Sequence, residues 1–240
     1  MTIVSGKKRL MKNFEQIYRI RTSDEDENGR LKTSSLLGIL QDCATRASDN
    51  AGATSAWLYE RGTVWFLNSI SLRVHADLSY LNTLRIETFI GEFGGLFSKR
   101  GYRVYSEGEL VAECTSFWFM VDLARRKPIK APEEVLEKYK IYTPSIIKNE
   151  RVRLKEPKGA PEKSIEITVR LTDTDQNKHV NNTIYSDYAA ELVGGGITEF
   201  DIEYKTEAKT GDTLTVSLYG DIIVYRNGEI SCAIARVKTK

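Results

Sequence analysis

The ten residues "DTDQNKHVNN", from Asp173 to Asn182, contain the side chains of this sequence that are best suited to chemistry. Asp175, Asn177 and His179 lie at alternate positions within them. Histidine titrates near neutral pH, so it can take up and release protons during a reaction. Residues two apart in an extended segment point to the same side, and we therefore expect these three side chains to face one cleft.

A helix is expected directly after this segment. The apolar residues Ile184, Tyr185, Tyr188, Ala189 and Leu192 recur on one helical face. Asn181 or Asn182 is suited to the N-cap. The unpaired N–H groups of a helix N-terminus suit a developing oxyanion, and would serve a catalytic site. The alternative is a structural role, a capping turn in which Asp and Asn bond to the local backbone.

The segment has a counterpart in the first half of the chain. The residues Arg21, Asp24, Asp26 and Asn28 match Arg170, Asp173, Asp175 and Asn177 at a constant offset of 149 residues (170 − 21). Further on, "VYSEGE" at 104–109 matches "VYRNGE" at 224–229 at an offset of 120. Two matched sets in the same order favour an internal duplication.

The two copies differ at three positions that could carry chemistry. Arg30, Lys32 and Thr33 stand where the second copy has His179, Asn181 and Asn182. We interpret the shared residues as structural and the residues found only in the second copy as chemical.

Each copy shows the same order of predicted elements, a polar turn followed by a helix and then strands. The first helix, capped by Thr33 or Ser34, has apolar residues at Leu36, Leu37, Leu40, Cys43, Ala44 and Ala47. The run "TVWFLNSISLRV" predicts a strand with Val64, Phe66, Ile70, Leu72 and Val74 on one face. In "TEFDIEYKTE", apolar residues alternate with acids, and Asn227-Gly228 and Glu107-Gly108 predict hairpins. The pattern indicates an α+β protein in which a curved antiparallel sheet wraps a long helix in each half.

The two halves are separated by a connector rich in proline and basic residues. All five prolines lie between residues 128 and 161, and the stretch from Arg125 to Lys163 holds twelve Lys or Arg against six Glu. Its middle, "APEEVLEKYK", could form a short helix. We predict a first repeat over residues 1–125, a connector over 126–164 and a second repeat over 165–240.

Composition limits the classes of function. A net charge of +2 gives no case for nucleic acid or a membrane surface, and no segment is long and apolar enough to span a bilayer. The three cysteines point to a reducing compartment, so we expect a cytoplasmic protein. No His/Cys cluster has metal-ligand spacing, and "VGGGI" at Val193–Ile197 is typical of a helix C-cap rather than a phosphate loop. We therefore expect neither a metal nor a cofactor.

Taken together, these motifs resemble one family. The pattern D-x-N-x-H-V-N-N-x-x-Y, followed by Y-x-x-E, is similar to that of the acyl-acyl carrier protein (acyl-ACP) thioesterases, as are "RLKTSSLLGILQDCA" and "YKTEAKTGDTL". The resemblance implies a double hotdog fold with the acyl pocket in the first half. It implies an active site of Asp175, Asn177, His179 and Glu207. The implied partner is an acyl carrier protein bearing a fatty acyl chain. We expect the protein to be a monomer or a homodimer.

One departure from the family bears on the nucleophile. Many plant members have Cys directly after the glutamate, where this sequence has Ala208. We therefore expect water to attack the thioester, with Glu207 or His179 as general base. Asn177 would hold or polarise the thioester carbonyl, and Asp175 would orient its neighbours or assist the base.

Two other classes of function remain open from the sequence. One is another hotdog enzyme, either an acyl-CoA thioesterase or a dehydratase acting on carrier-bound acyl chains. The other is a sensor that binds acyl thioesters without chemistry. The presence of all four site residues favours hydrolysis.

Overall fold

The computed structural model describes residues 13–91 and 95–240, which form one mostly antiparallel sheet with few helices. The strands are β1 (Phe14–Arg19), β2 (Thr63–Val74), β3 (Thr83–Ile90), β4 (Phe97–Ser106), β5 (Glu109–Asp122), β6 (Lys127–Ile129), β7 (Lys163–Thr168), β8 (Ile197–Tyr204), β9 (Thr213–Tyr219), β10 (Ile222–Asn227) and β11 (Ile230–Thr239). The helices are α1 (Thr33–Asn50), α2 (Ser55–Glu60), α3 (Glu133–Tyr139) and α4 (Ile184–Val193).

The strand order has the same form when it is read from either edge. It runs β1-β3-β4-β5-β2-β8-β11-β10-β9-β7, with β6 paired to β5. Both edges begin with the first strand of a half, and both central strands, β2 and β8, follow a helix. These two pair antiparallel over Ser69–Arg73 and Glu199–Glu203. This order is the one that a duplicated chain would give.

The predicted helices are present, but they differ in length. α1 has 18 residues, and its predicted stripe of Leu36, Leu37, Leu40, Cys43, Ala44 and Ala47 is buried. α4 has 10 residues, so a long helix in each half is not confirmed. Gly194, Gly195 and Gly196 all have positive φ, a conformation that glycine adopts without strain, and they end α4 as "VGGGI" predicted.

The predicted helix starts are displaced. Lys32 and Thr183 occupy the N-cap positions, and neither side chain caps its helix. α4 therefore begins after the two asparagines that were predicted to cap it. Asn181 instead closes a turn before the helix, where its Oδ1 accepts the Thr183 N–H at 3.0 Å.

The predicted face of β2 is wrong because of a bulge. The register with β5 shifts between Leu67 and Ser69, so one extra residue reverses the alternation of faces. Leu67 therefore shares the buried core with Ile70 and Leu72. Phe66, predicted on that face, stacks on Phe119 with the ring centroids 5.9 Å apart.

The two predicted hairpins and the short helix between the halves are confirmed. β10 and β11 are joined at Asn227-Gly228, and β4 and β5 at Glu107-Gly108, where both residues have positive φ. The segment "APEEVLEKYK" contains α3.

A buried aspartate fastens the start of the polar segment. Asp173 is 2% exposed and closes a short 3₁₀ turn, Leu171–Asp173. It accepts the Arg170 N–H at 2.9 Å and the Tyr188 hydroxyl at 2.9 Å, and the Arg170 guanidinium donates at 2.8 Å. Burial would raise the pKa of Asp173, but these hydrogen bonds lower it below its ordinary value. Asp24 has the equivalent bonds from Arg21 in the first half.

We expect Asp173→Asn to lower the free energy of unfolding by about 2 kcal/mol at pH 7, because a buried charge-assisted cluster is lost. The folded-state pKa is depressed, so the contribution is present above the unfolded pKa of about 3.9 and is lost as pH falls through the folded pKa. Urea unfolding at pH 7 and pH 3 measures both effects. The exposed Asp49→Asn is the control, and an equal effect of the two substitutions would contradict the assignment.

Candidate active site

The backbone of the polar segment forms a closed turn rather than the extended segment from which we predicted one shared direction for the three side chains. The Asp175 N–H donates to the His179 carbonyl at 2.9 Å, and the Lys178 N–H donates to the Asp175 carbonyl at 2.9 Å. Lys178 has a φ of 63°, and Thr174 and Val180 form an antiparallel bridge. Asp175 and His179 therefore lie at opposite ends of one tight loop. The directions of their side chains are set by this loop and not by two-residue alternation.

Asp175 and Asn177 are coupled within this turn. The Asp175 Oδ1 accepts the Asn177 backbone N–H at 2.8 Å, and its Oδ2 accepts the Asn177 amide at 3.3 Å. In the first half, the Asp26 Oδ1 accepts the Asn28 N–H at 2.8 Å in the same way. The structural interpretation of the aspartate shared by both copies is therefore confirmed, since it closes an Asx turn. In the second copy the same carboxylate also holds an exposed amide side chain.

His179 meets Glu207 across a backbone contact between two loops. The Val180 N–H donates to the Ala208 carbonyl at 2.8 Å, which joins the polar turn to the connection between β8 and β9. As a result His179 Nε2 lies 3.0 Å from Glu207 Oε2. The two side chains are 24% and 47% exposed, so the pair is open to water on one side. The structure therefore brings together the histidine and the glutamate that the resemblance named.

A set of tyrosines supports the loop from below, and the sequence interpretation missed its role. The Tyr204 hydroxyl donates to the Asn182 carbonyl at 2.8 Å, and the Tyr225 hydroxyl donates to the Tyr185 carbonyl at 2.8 Å. Tyr185 packs edge-on against both rings. Burial raises the pKa of Tyr204 and Tyr225 well above the ordinary value, so both remain neutral donors. The alternation of residues in β8 predicted that the Tyr204 side chain faces the interior. The group that accepts its hydroxyl hydrogen bond could not be predicted from any local pattern.

The expected oxyanion donors at the start of α4 are largely occupied. The Thr183 N–H is bound by the Asn181 side chain, the Ile184 N–H donates to the Asn181 carbonyl at 2.9 Å, and the Ser186 N–H donates to the Thr183 carbonyl at 3.1 Å. Three N–H groups of this region therefore bond locally. The Asn177 amide is better able than these backbone groups to donate to a carbonyl oxygen, because only one of its two N–H groups donates to Asp175.

The three cysteines of the sequence are poor nucleophiles. All are free and buried. Burial raises the pKa of Cys43 to about 12, and it also raises the pKa of Cys114 and Cys232. The thiolate is the reactive form of cysteine, so these side chains are inert at neutral pH. Ala208 is likewise buried beside Glu207 and has no reactive group.

The fold matches that of solved thioesterase structures. A 12:0-ACP thioesterase structure from Umbellularia californica aligns with a TM-score of 0.82 and 20% identity, over 95% of this chain and 97% of its own. An acyl-ACP thioesterase structure from Bacteroides thetaiotaomicron aligns with a TM-score of 0.81 and 21% identity, over 94% and 97%. At such identities the likeness shows the fold alone, which is that of the hotdog-type thioesterases.

Family models identify the chain more closely. The acyl-ACP thioesterase N-terminal domain matches residues 11–139, and the acyl-ACP thioesterase C-terminal domain matches residues 156–234. The chain therefore belongs to the acyl-ACP thioesterase family. A curated relative, the chloroplastic dodecanoyl-acyl-carrier-protein hydrolase of Cinnamomum camphora, is 26% identical over 227 residues, 85% of this chain. The chain spans just over half the length of such relatives, 58% of this one and 51% of another.

We expect the native protein to react slowly with a thiol reagent such as Ellman's reagent at pH 8, because its thiols are buried and protonated. Denaturation in guanidinium should then release the signal of all three cysteines. The measurement is the absorbance time course before and after unfolding. One thiol reacting in the native protein as fast as free cysteine would contradict the geometry.

Proposed function

We propose that this chain is a double-hotdog enzyme that hydrolyses fatty acyl-ACP thioesters to free fatty acid and ACP, and so ends fatty acid chain elongation. The observation that carries the proposal is the 3.0 Å contact between His179 Nε2 and Glu207 Oε2, beside the Asp175–Asn177 pair. Membership in the acyl-ACP thioesterase family and the absence of a reactive thiol at Ala208 support hydrolysis by water.

The His179–Glu207 pair is proposed to act as one proton-accepting unit. A water molecule beside it loses a proton to the pair as its oxygen forms a bond to the thioester carbonyl carbon. The carbon–sulfur bond then breaks, and the proton passes to the departing carrier thiolate. A base within one hydrogen bond of a second titratable group shares its proton with it, so the pair rather than either residue is the functional base.

Asn177 and Asp175 are proposed to act on the carbonyl rather than on the proton. The Asn177 amide is exposed at the mouth of the turn, where its second N–H can bond to the thioester oxygen. Asp175 fixes that amide through both the backbone and the side chain. Its role is therefore that of a positioning residue, and its removal would misplace Asn177.

The repeat boundaries are part of this proposal. We propose a first hotdog repeat over 1–125, a connector over 126–164 and a second repeat over 165–240. The mirrored strand order and the two separate family matches, over 11–139 and 156–234, support a division into two repeats. The catalytic loop belongs to the second repeat, which leaves the first repeat to hold the acyl chain.

The location and assembly of the enzyme stay predictions. None of the helices described is long and apolar enough to cross a membrane. We retain a cytoplasmic location and a monomer or homodimer as predictions.

The carrier partner is proposed to dock at a basic turn. Arg125, Arg126 and Lys127 lie exposed where β5 turns into β6, and of these only Arg125 has a carboxylate near it among the described residues, Asp122 at 3.9 Å. Acyl carrier proteins are acidic, so positive potential here would speed and orient the encounter.

We expect His179→Ala and Glu207→Ala each to lower kcat by roughly 10²–10⁴-fold, because each removes half of the proton-accepting pair. Release of free thiol from dodecanoyl-ACP measures the rate, and a thermal melt checks the fold. His75→Ala is a matched control, since His75 also lies near a glutamate, Glu113 at 3.7 Å, but outside the loop.

Substitution of the cysteines tests whether a thiol, rather than water, is the nucleophile. Cys43→Ala, Cys114→Ala and Cys232→Ala should keep full turnover in every variant that folds. A folded cysteine variant without activity would show that a thiol, not water, attacks the thioester.

We expect added salt to raise the apparent KM for acyl-ACP more than the KM for a short synthetic thioester, because screening weakens long-range attraction. Reversing Arg125, Arg126 and Lys127 to Glu should produce the same rise at low salt. The control is the reversal of Arg153, Lys155 and Lys158, which are exposed in the same connector and carry the same total charge. Equal effects of the two triple variants would place docking elsewhere.

A further inference from the structure

A cavity lies beside the first-half copy of the active-site loop. It has a volume of about 370 Å³, within the size range of small-molecule sites. The first-half copy of the polar turn forms one wall, and α4 with the glycines after it forms another. The connection between β2 and β3 closes the base.

The backbone of this wall repeats that of the catalytic loop. The Asp26 N–H donates to the Arg30 carbonyl at 2.7 Å, as Asp175 does to His179. The Leu31 N–H donates to the Leu78 carbonyl at 2.7 Å, as Val180 does to Ala208. Arg30 therefore occupies the position of His179, and Asp77 that of Glu207.

These replacements remove the histidine–glutamate pair and place cations in the wall of a cavity whose lining is balanced overall. The lining holds four cations (Arg30, Lys32, Arg170 and Lys240) and four carboxylates (Asp26, Asp77, Asp187 and Glu191). An arginine side chain stays protonated in proteins, so Arg30 cannot serve as a base. The Asp77 Oδ1 is bound by the Lys240 Nζ at 2.6 Å.

The carboxylates of the lining are mostly engaged. The Asp26 Oδ1 accepts two backbone N–H groups, at 2.8 and 3.0 Å. Burial raises the pKa of Asp187, while the Ser34 side chain and the Lys32 charge oppose that rise. Arg170 pairs with Asp173 outside the cavity, and Glu191 is the remaining lining carboxylate. Among the described residues neither Arg30 nor Lys32 forms a close ion pair, although the charge of Arg30 acts on Asp77 and that of Lys32 on Asp187. These two cations are therefore the ones that an incoming anion would meet.

The rest of the lining is suited to an apolar chain. Leu31, Leu36, Val74, Leu78 and Ile197 contribute aliphatic surface. Gly195 and Gly196, the glycines that follow α4, complete the wall beside Arg30. A Cβ at Gly196 would lie 3.7 Å from Arg30 Nη1, an ordinary contact distance, so this glycine lies directly beside the guanidinium.

We propose that this cavity binds a fatty carboxylate without turning it over, with the carboxylate on Arg30 and Lys32 and the chain along the aliphatic wall. The identity of the ligand as a fatty acid rests on the proposed function, of which it is the product class. The cavity, its cations and the replacement of the histidine by Arg30 do not depend on that function.

Equilibrium dialysis of the full chain with radiolabelled dodecanoate, kept below its micellar concentration, tests the proposal. Ala190 lines the cavity, so Ala190→Phe should fill it and lower the number of dodecanoate molecules bound per chain by one. Arg30→Gln should weaken the same binding by roughly 10–100-fold, since a charge-assisted bond is lost. Arg19→Gln, on the exposed end of β1, should change nothing.

Thiol release from acyl-ACP separates this proposal from the proposed function. Normal turnover with unchanged dodecanoate binding in both Ala190→Phe and Arg30→Gln overturns the second site alone. If the wild type shows no turnover and both variants lose dodecanoate binding, the proposed hydrolase activity is contradicted and the second site is supported. If the variants instead lose binding of coenzyme A and not of dodecanoate, the assigned ligand class is wrong.

Discussion

The site depends on one backbone hydrogen bond, from the Val180 N–H to the Ala208 carbonyl at 2.8 Å. It joins a loop that precedes a helix to a loop that follows a strand, and these are far apart in the chain. His179 and Glu207 each lie one residue before a member of this bond, so their side chains emerge side by side. A buried backbone hydrogen bond of this kind sets the pair distance more firmly than the side chains themselves could, because exposed ion pairs contribute little.

The duplicated chain uses the same bond twice with different results. In the first half, Leu31 and Leu78 form it, and the flanking residues are Arg30 and Asp77. The aspartate turns below it, built on Asp24 and Asp173, also have matching bonds. The same backbone arrangement therefore holds the His179–Glu207 pair in the second half. In the first half it holds Arg30 beside Asp77, whose carboxylate is paired with Lys240. This division explains why the two copies retain the same turn residues but differ at the positions next to the bond.

Much of this arrangement could be predicted from the sequence, because it rests on local patterns. The constant offset between the copies, the apolar stripe of α1, the hairpins and the glycines that end α4 are each encoded in a few neighbouring residues.

The extra residue in β2 could not be predicted, since a bulge depends on pairing with β5, and the face assigned to Phe66 was wrong for that reason. The polar turn was misread as extended because Asp175 and Asn177 alternate as strand residues do, whereas their side chains close a turn. The partner of the Tyr204 hydroxyl lies across the fold, where local spacing carries no information. Glu207 was found only through the family resemblance, because one exposed acid at a strand end has no local signature.

The central claim is that water attacks the thioester directly while the His179–Glu207 pair takes its proton. A single-turnover reaction in oxygen-18 water, with enzyme in excess over dodecanoyl-ACP, tests it most directly. Direct attack places one heavy oxygen in the released fatty acid and leaves the protein unlabelled. Mass spectrometry of the peptide containing Glu207 should therefore show no added mass after the turnover. Heavy oxygen in the Glu207 carboxylate would mean that this residue attacks the acyl group itself, and would contradict the account.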